Sequence, residues 1–316
     1  MIKSIPIPTA GVMLGLAALG NLLAPYAVEA KLFCGAVSAL LGFLLLLRIL
    51  RYPMSIHQDM TGNPIMASVS ATFFMSFMQL ATYIKDLLPL TAEIIWILSV
   101  ASHALLILWF TRYFVVNLQL KHVFPTFFIT YVGIVVGAVT APVFGYMTLG
   151  NYIFWFGFVL YMVMLALVTY RYYHLPVAEP AKPLLCIYTA PMSLSLAGYF
   201  AVVPEKSLLM ILIMEIAAQA LYLFVLCKLP KLLRLPFYPS YAAFTFPFVI
   251  TAMALKQTLA YFSDAGYLIH DALILLFYAE MIFSTLIVLY VTIRYFQYFY
   301  MLWETSRAAK ADTVSL

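Results

Sequence analysis

The chain has 316 residues, of which 66% are hydrophobic and 9% are charged, and its mean hydropathy is +1.02. Soluble domains carry about 25% charged residues, so this composition excludes a soluble globular protein. The formal net charge of +5 does not indicate a nucleic-acid partner, because the basic residues lie mainly in the connections between apolar segments.

Ten apolar segments follow one another along the chain, separated by short connections. Each is long enough to cross a hydrocarbon core of ~30 Å as a helix. The segments span residues 9–26, 31–50, 64–84, 93–112, 125–144, 150–171, 183–203, 206–229, 239–262 and 268–300. The sequence therefore predicts an all-α integral membrane protein with ten transmembrane helices in a single domain, 1–303. We expect the polar residues 304–316 to form a disordered cytoplasmic tail.

The basic residues of the connections predict the orientation of the chain. Cytoplasmic loops carry an excess of lysine and arginine. The connections after the even-numbered segments contain nine of them: Arg48, Arg51, Arg112, Lys121, Arg171, Lys182, Lys228, Lys231 and Arg234. The odd-numbered connections contain Lys31, Lys85 and Lys206, each close to an acidic residue. We therefore expect both termini in the cytoplasm and the protein in the cell inner (plasma) membrane.

An internal repeat runs through the odd-numbered segments. Each begins with a proline, which is favourable at the first position of a helix. These prolines are Pro8, Pro64, Pro125, Pro183 and Pro239. Each odd segment also contains nine to eleven Gly, Ala, Ser, Thr or Pro residues, whereas each even segment contains four or five. This alternation predicts five helical hairpins in a quasi-five-fold arrangement, with the odd helices lining a central pore. The alternative is a solid bundle in which small residues only allow tight packing.

One level of the repeat carries the predicted gate. The residues seven positions after each proline are Gly15, Ala71, Val132 (followed by Gly133), Ala190 and Phe246. Four of these are small or medium in size and the fifth is aromatic, which predicts an apolar constriction closed by the Phe246 ring. Pro191 and Pro247 are expected to kink their helices at the same level. The alternative is that Phe246 is an ordinary core residue.

Electrostatic features weakly favour anions. The odd helices all begin at one side of the membrane, and helix N-termini carry partial positive charge. Lys256 lies seventeen residues beyond Pro239, ~25 Å along a helix, where it could attract anions near the outer mouth or simply extend to the membrane interface. His103, Glu215 and Glu280 lie on even segments. They would suit a transporter if they coupled protons, and would otherwise pair with one another or with loops, or mark a subunit interface.

The sequence contains no pattern typical of an enzyme or a metal site. Phosphate-binding glycine loops, metal-ligand spacings and nucleophile elbows are absent from the printed sequence. The three cysteines lie in apolar segments and do not form a disulfide pattern. We therefore expect no enzymatic activity, no cofactor and no metal.

Three short motifs carry a family resemblance. They are IPIPTAGVMLGLAALGNL (5–22), TAPMSLSLAGY (189–199) and AAFTFP (242–247). The chain resembles the tellurite-resistance/dicarboxylate transporter family, which includes the plant guard-cell slow anion channels. The resemblance implies five hairpins around a pore, a homotrimer with one pore in each protomer, Phe246 as the occluding ring and Lys256 as a basic residue of the ninth helix. Some relatives have prolines in the first and third helices that are missing here, so Gly15 is expected to kink the first helix and the third is expected to be straighter.

The predicted function is that of an anion channel whose pore passes small inorganic or organic anions. The first alternative is a coupled transporter or exporter of dicarboxylate (malate-like), sulfite or tellurite. The second is a membrane scaffold with solidly packed helices. The expected partners are the anions, membrane lipid and two further copies of the chain.

Overall fold

The computed structural model describes residues 2–314, with side chains as far as Arg307, and this part of the chain is helical without strands. In chain order the α-helices are α1 (Thr9–Leu23), α2 (Val28–Arg51), α3 (Pro53–Gly62), α4 (Pro64–Val69), α5 (Ala71–Ile84), α6 (Pro89–Phe110), α7 (Thr126–Tyr131), α8 (Val135–Phe144), α9 (Met147–His174), α10 (Ala190–Val202), α11 (Leu208–Leu232), α12 (Phe246–Asp264) and α13 (Asp271–Val314). Two longer 3-10 helices, Glu179–Thr189 and Pro239–Phe244, precede α10 and α12.

The described residues contain nine helical spans that are long and apolar enough to cross a membrane. They correspond to the second to tenth apolar segments. The first segment forms α1, which is apolar but has only 15 residues. At 1.5 Å per residue it covers ~22 Å, less than a typical hydrocarbon core. The structure thus confirms an all-helical protein with several helices capable of spanning a membrane.

Successive odd and even segments pack as neighbours. The contacting pairs are α1 with α2, α5 with α6, α8 with α9, α10 with α11, and α12 with α13. The odd segments also contact one another: α1 packs on α5, α5 on α8, α8 on α10, α10 on α12, and α12 returns to α1. This order of contacts surrounds the interior with helices that carry the small residues.

Burial separates the two sets of helices. Between 56% and 83% of the most apolar stretch is buried in the third, fifth, seventh and ninth segments, against 28% to 39% in the even segments. Small side chains allow the odd helices to approach closely, while the bulky side chains of the even helices cover them. The odd helices therefore lie inside and the even helices outside.

Four odd segments are interrupted at a similar distance from their first proline. The interruptions fall at Ser70, at residues 132–134, at the junction of Thr189 with α10, and at Thr245. Pro191 and Pro247 occupy the first turns of α10 and α12, where the missing N–H breaks no helical hydrogen bond. The bend expected at Gly15 and the straighter third helix stay predictions. Helix α1 continues through Gly15, whereas the third segment, expected to be straighter, is interrupted.

The last helix extends further than its polarity predicts. Helix α13 runs to Val314, so 304–314 are helical where a disordered tail was expected, and 315–316 lie outside the described residues. The sequence ETSRAAKADTV contains several good helix formers, and a long preceding helix removes the cost of nucleation.

Candidate functional site

A central cavity of about 220 Å³ is bounded by all five odd segments. Its walls are almost entirely apolar. The residues that surround its inner part are Gly11, Leu14, Val69, Thr72, Met75, Phe128, Ile129, Val132, Gly133, Leu184, Ile187, Ala190, Pro191, Leu194, Ala242, Ala243, Phe246 and Pro247. Because every odd segment contributes to this wall, the cavity lies on the axis that these helices surround.

The cavity reaches partly exposed residues at the ends of the odd segments that carry the repeat prolines, which we call the proline end. There the wall includes the partly exposed residues Asn63, Tyr238 and Ser240. The Tyr238 hydroxyl donates a hydrogen bond of 2.8 Å to the Glu179 carboxylate. This hydrogen bond raises the pKa of Tyr238, so the phenol at the mouth stays neutral.

At the inner end the cavity reaches buried side chains. Phe246 is 5% exposed, and Leu14, Met75 and Leu194 are 1%, 2% and 3% exposed. Water molecules and ions find no hydrogen-bond partners between such apolar groups, so their transfer from bulk water is unfavourable. The inner end is therefore a hydrophobic section whose wall includes the rings of Phe246 and Phe128.

A break in the ninth segment positions Phe246. Thr245 joins the 3-10 helix to α12 with φ −103° and ψ −92°, outside the helical region. Its hydroxyl lies 2.7 Å from the Ala242 carbonyl and 2.9 Å from the Gly11 carbonyl, both of which accept from it. The second contact fixes the break to α1, so the direction of Phe246 depends on two segments.

Gly15 supports the same junction from α1. A Cβ atom added at Gly15 would lie 2.4 Å from Thr245 Cβ and 3.1 Å from the Phe246 nitrogen. Only a hydrogen fits in this space, so the glycine permits direct backbone packing between α1 and the start of α12.

The structure brings six of the nine predicted site residues together in the cavity wall: Val132, Gly133, Ala190, Pro191, Phe246 and Pro247. Gly15 and Ala71 lie outside it, and the adjacent residues Leu14 and Thr72 line it instead. In the first segment Gly15 faces Thr245, and in the third the interruption at Ser70 precedes the helix that Ala71 begins. In these two segments the residue that lines the cavity is therefore one position away from the residue predicted by counting seven from the proline.

Lys256, the ninth candidate, is also separate from the cavity wall. Its ammonium nitrogen lies 5.1 Å from the centre of the Tyr26 ring, in the connection after α1. A cation over an aromatic face is stabilised by the ring quadrupole. The structure thus places this lysine in the middle of α12, eight residues before its last residue Asp264, partly buried beside an aromatic ring.

The sequence analysis did not identify three bulky wall residues, Leu14, Met75 and Leu194. Met75 and Leu194 each lie eleven residues after their repeat proline, one helical turn beyond the level used for the prediction. The helical period could have identified this second level. Thr72, also missed, has a hydroxyl in the wall that donates to the Val69 carbonyl at 2.6 Å.

The helix ends at the interruptions and the lack of charged wall residues determine the electrostatics of the site. Helices α5, α8, α10 and α12 all begin near the inner end of the cavity. A helix N-terminus carries a partial positive charge of about half a unit. Within residues 2–314 there is no group of three or more His, Cys, Asp or Glu side chains that could hold a metal ion. Another helix or 3-10 helix ends at each of these interruptions and offsets this charge, so the site is an apolar path whose described wall residues carry no charge.

Removing the Thr245 hydroxyl tests how the junction is held. We expect Thr245→Val to lower the free energy of unfolding by about 1 kcal/mol, because the hydrogen bonds from the buried Thr245 hydroxyl to the Gly11 and Ala242 carbonyls are lost. Thermal unfolding in detergent measures this loss. Thr305→Val is the control, since the Thr305 hydroxyl is exposed and bonds only within its own helix. Equal stability of both variants and the parent would contradict the role given to Thr245.

Inner helices surrounding an apolar cavity, in a helical membrane protein, define a channel or transporter. The family model described as voltage-dependent anion channel (SLAC1) matches residues 5–296, so the chain belongs to this family. The match confirms the resemblance seen in the three motifs and indicates a function in anion passage. Members of the family are channels or transporters and not enzymes. A search of curated proteins finds no match.

Proposed function

We propose that the protein is an anion channel whose central pore is closed by Phe246. In this proposal ten spans form five hairpins in a quasi-five-fold arrangement, and the odd helices line the pore. The observation that carries it is the apolar cavity to which all five odd segments contribute, with Phe246 in the wall at its buried end.

A single ring is sufficient to close such a path. An ion entering the inner end would have to lose hydration between Phe246, Leu14 and Met75, which offer no hydrogen-bond donors. A narrow apolar section also tends to exclude water, which blocks ions before complete steric contact is made. In this proposal the constriction is completed by five further wall residues, Val132, Gly133, Ala190, Pro191 and Pro247. Gly15 and Ala71 lie outside the wall and pack around the constriction.

Anion preference would come from weak, distributed charge. The first turns of α5, α10 and α12 contribute to the cavity wall, and Lys256 adds a positive charge in the middle of α12. A pore without a fixed cation binds anions weakly enough to release them quickly, as conduction requires. This arrangement suits several small anions and does not require one tightly bound species.

The exposed side chains of the even helices support the proposed location of this channel in a membrane. The even helices expose large apolar side chains, including Phe43, Leu105, Val159 and Leu223, as contact with lipid requires. We place the proline end and both termini in the cytoplasm, the protein in the inner (plasma) membrane, and three copies in the assembly. The basic connections support the orientation, and the resemblance supports the trimer.

A coupled transporter or exporter of malate-like dicarboxylate, sulfite or tellurite is the second candidate. The observation that favours it is the pair Glu215 and Glu280, which is buried although it lies outside the cavity. Buried acids in membrane helices often relay protons.

Transport assays in lipid vesicles separate the two candidates. We expect the protein to carry chloride, nitrate, sulfite or malate only down their gradients, with a current whose reversal potential follows the anion gradient. A pH gradient alone should drive no accumulation. Accumulation of labelled malate or sulfite against its gradient in the parent protein would contradict a channel and establish the coupled transporter.

A further inference from the structure

A second cavity, of about 440 Å³, lies between the first two hairpins and is separate from the central one. Its wall combines the start of α1, the end of α2, α3, the start of α5 and the second half of α6, and it is almost entirely apolar. Representative wall residues are Ile7, Leu45, Met60, Phe73, Leu106 and Trp109. Leu105 of the same wall is 66% exposed, so the cavity opens on the outer surface of the helices. We call it the lateral groove.

The aromatic residues of α6 indicate the depth of the lateral groove in the membrane. Its α6 wall runs from Ser102 to Trp109, which is ~10 Å along the helix. The centre of the Trp109 ring lies 4.8 Å from that of Tyr113, and Tyr113 is 53% exposed. Tryptophan and tyrosine are enriched where hydrocarbon meets water. The groove therefore lies in the hydrocarbon region near the proline end, with its rim at the level of the lipid headgroups.

The rim of the lateral groove carries positive charge. Three exposed basic residues lie within four residues of a wall residue, one each before α1, at the end of α2 and after α6: Lys3, Arg51 and Arg112. Residues 2–62 contain two acids. Asp59 is paired with Arg48, and Glu29 lies in the first turn of α2, at the other end of that helix. The positive charge at the rim is therefore in excess and suits an anionic headgroup.

The lateral groove and the central cavity share a wall. In the third segment Ser70 and Phe73 line the groove, whereas the adjacent residues Val69 and Thr72 line the central cavity. The start of α1 contributes to both walls in the same way. One layer of backbone, which includes the interruption at Ser70, thus separates the two spaces.

We propose that the lateral groove binds an anionic phospholipid, with one acyl chain along the apolar wall and the phosphate at the basic rim. An acyl chain has no hydrogen-bonding groups, so it fills the groove without leaving a polar group unpaired. The phosphate meets the excess positive charge of Lys3, Arg51 and Arg112. The bound chain also packs against Phe73 and supports the interrupted third segment from outside.

Photolabelling of the full chain in lipid vesicles locates the acyl chain. The probe is phosphatidylglycerol with a diazirine near the end of one acyl chain, and the labelled positions are found by peptide mass spectrometry. We expect labels on groove residues such as Phe73 and Leu106. Labels confined to exposed positions elsewhere, such as Val159 and Leu223, would overturn the site.

Two phenylalanine variants on α6 test whether the label depends on the lateral groove. Ser102→Phe places a ring inside the groove and should remove the labels there. Ala101→Phe is the matched control, because it adds the same ring at an exposed neighbouring position outside the wall. Its labelling should equal that of the parent. Groove labels that persist in Ser102→Phe would contradict the binding of the chain at this place.

The headgroup is tested without changing the apolar wall, which keeps the proposal testable if Ser102→Phe does not fold. Native mass spectrometry measures phosphatidylglycerol retained by the purified chain, with phosphatidylcholine of the same acyl chains as the neutral comparison. Arg51→Gln and Arg112→Gln should each weaken retention about five-fold. Lys231→Gln with Arg234→Gln removes two exposed charges outside the groove and should not. Equal retention of the two lipids, or equal losses in all variants, would overturn the anionic lipid.

A second copy of the chain is a different occupant that the same protein can reveal. Leu105→Cys is introduced together with Cys227→Ser, because Cys227 is the exposed native cysteine and Cys34 and Cys186 are buried. In membranes treated with a short bismaleimide we expect no cross-linking through position 105. Cross-linked chains together with missing groove labels would overturn the lipid in favour of a subunit interface.

Resting on the proposed channel function, the lipid also acts on the pore. Without it, the third segment is free to move toward the groove and away from Phe246, which widens the central cavity. Chloride flux through the parent should therefore be at least about two-fold higher in phosphatidylcholine vesicles than in vesicles containing phosphatidylglycerol. Ala101→Phe should keep this difference and Ser102→Phe should lose it. The same difference in both variants would reflect vesicle surface charge and overturn the coupling. If groove labelling behaves as expected while no variant carries anions, the lipid site stands and the proposed channel function fails.

Discussion

Replacing Phe246 with alanine is expected to increase anion flux at least about ten-fold, which corresponds to lowering the barrier by ~1.4 kcal/mol. The substitution removes an aromatic ring from the buried part of the cavity wall, so the apolar section widens and can hold water. Chloride efflux from loaded vesicles, divided by the amount of folded protein, measures the effect. Phe246→Leu should give an intermediate flux, because it removes only part of the ring volume.

A neighbouring phenylalanine supplies a matched control. Phe248 is fully buried two residues further along α12 but is absent from the cavity wall, and its ring packs edge-on against Phe283 at 5.2 Å. Phe248→Ala deletes the same atoms from the core and is expected to cost about 3–5 kcal/mol of stability. Its flux should stay close to that of the parent. An increase of similar size in both variants would mean that loosened packing, and not an opened gate, carries the current.

The second large effect is expected from Gly15→Ala. The added methyl group would meet Thr245 Cβ at 2.4 Å, closer than real Cβ atoms approach other heavy atoms, so α1 or the start of α12 has to move. Overpacking of this kind costs about 1–3 kcal/mol and outweighs the better helix propensity of alanine, which is worth about 1 kcal/mol. Unfolding in detergent should show the loss, and the displaced junction should change the flux as well.

Two further variants test whether the contact of the added methyl group with Thr245 causes the loss of stability in Gly15→Ala. Gly62→Ala adds the same methyl group where no atom lies within 4 Å, so its stability should not fall. In the double variant Gly15→Ala with Thr245→Gly, the two closest colliding atoms, Cβ and Oγ1 of Thr245, are removed. A double-mutant cycle should therefore give a favourable coupling of about 1 kcal/mol or more. Additive losses from the two substitutions would contradict direct packing of Gly15 on Thr245.

Much of the architecture could be predicted because the membrane limits the possible structures. Backbone groups in lipid have to be paired within a helix, so long apolar segments could be assigned to helices from composition alone. The alternation of small and bulky residues likewise predicted which helices are buried, as the contrast between the Glu179–Val202 and Leu208–Leu232 spans shows. The family resemblance could be predicted from short motifs that include Pro8, Pro191 and Phe246, and the family model over residues 5–296 confirms it.

The details of the site could not be read from spacing alone. A count from each proline assumes the same local geometry in every repeat, but the third segment is interrupted at Ser70 and the first is continuous. Leu14 and Thr72 therefore line the cavity in place of their neighbours Gly15 and Ala71. The count places Gly15 at the same level as Phe246, but a count gives no side-chain direction, so it could not show that Gly15 packs on Thr245 outside the cavity wall.

The acidic residues on the even helices show another property that could not be predicted from the sequence. Sequence analysis could identify Glu215 and Glu280 as unusual, but it could not distinguish them from each other. The distinction depends on which oxygens receive donors from Gln219 and Thr258. That information exists only after α11, α12 and α13 are packed together.

Planar-bilayer recording of the parent, Phe246→Ala and Phe248→Ala, in chloride, nitrate, sulfite and malate, is the most direct test that Phe246 closes an anion pore. We predict small currents from the parent and from Phe248→Ala, and large currents from Phe246→Ala that reverse at the anion equilibrium potential. A Phe246→Ala protein that is folded and conducts no more than the parent would contradict the gate.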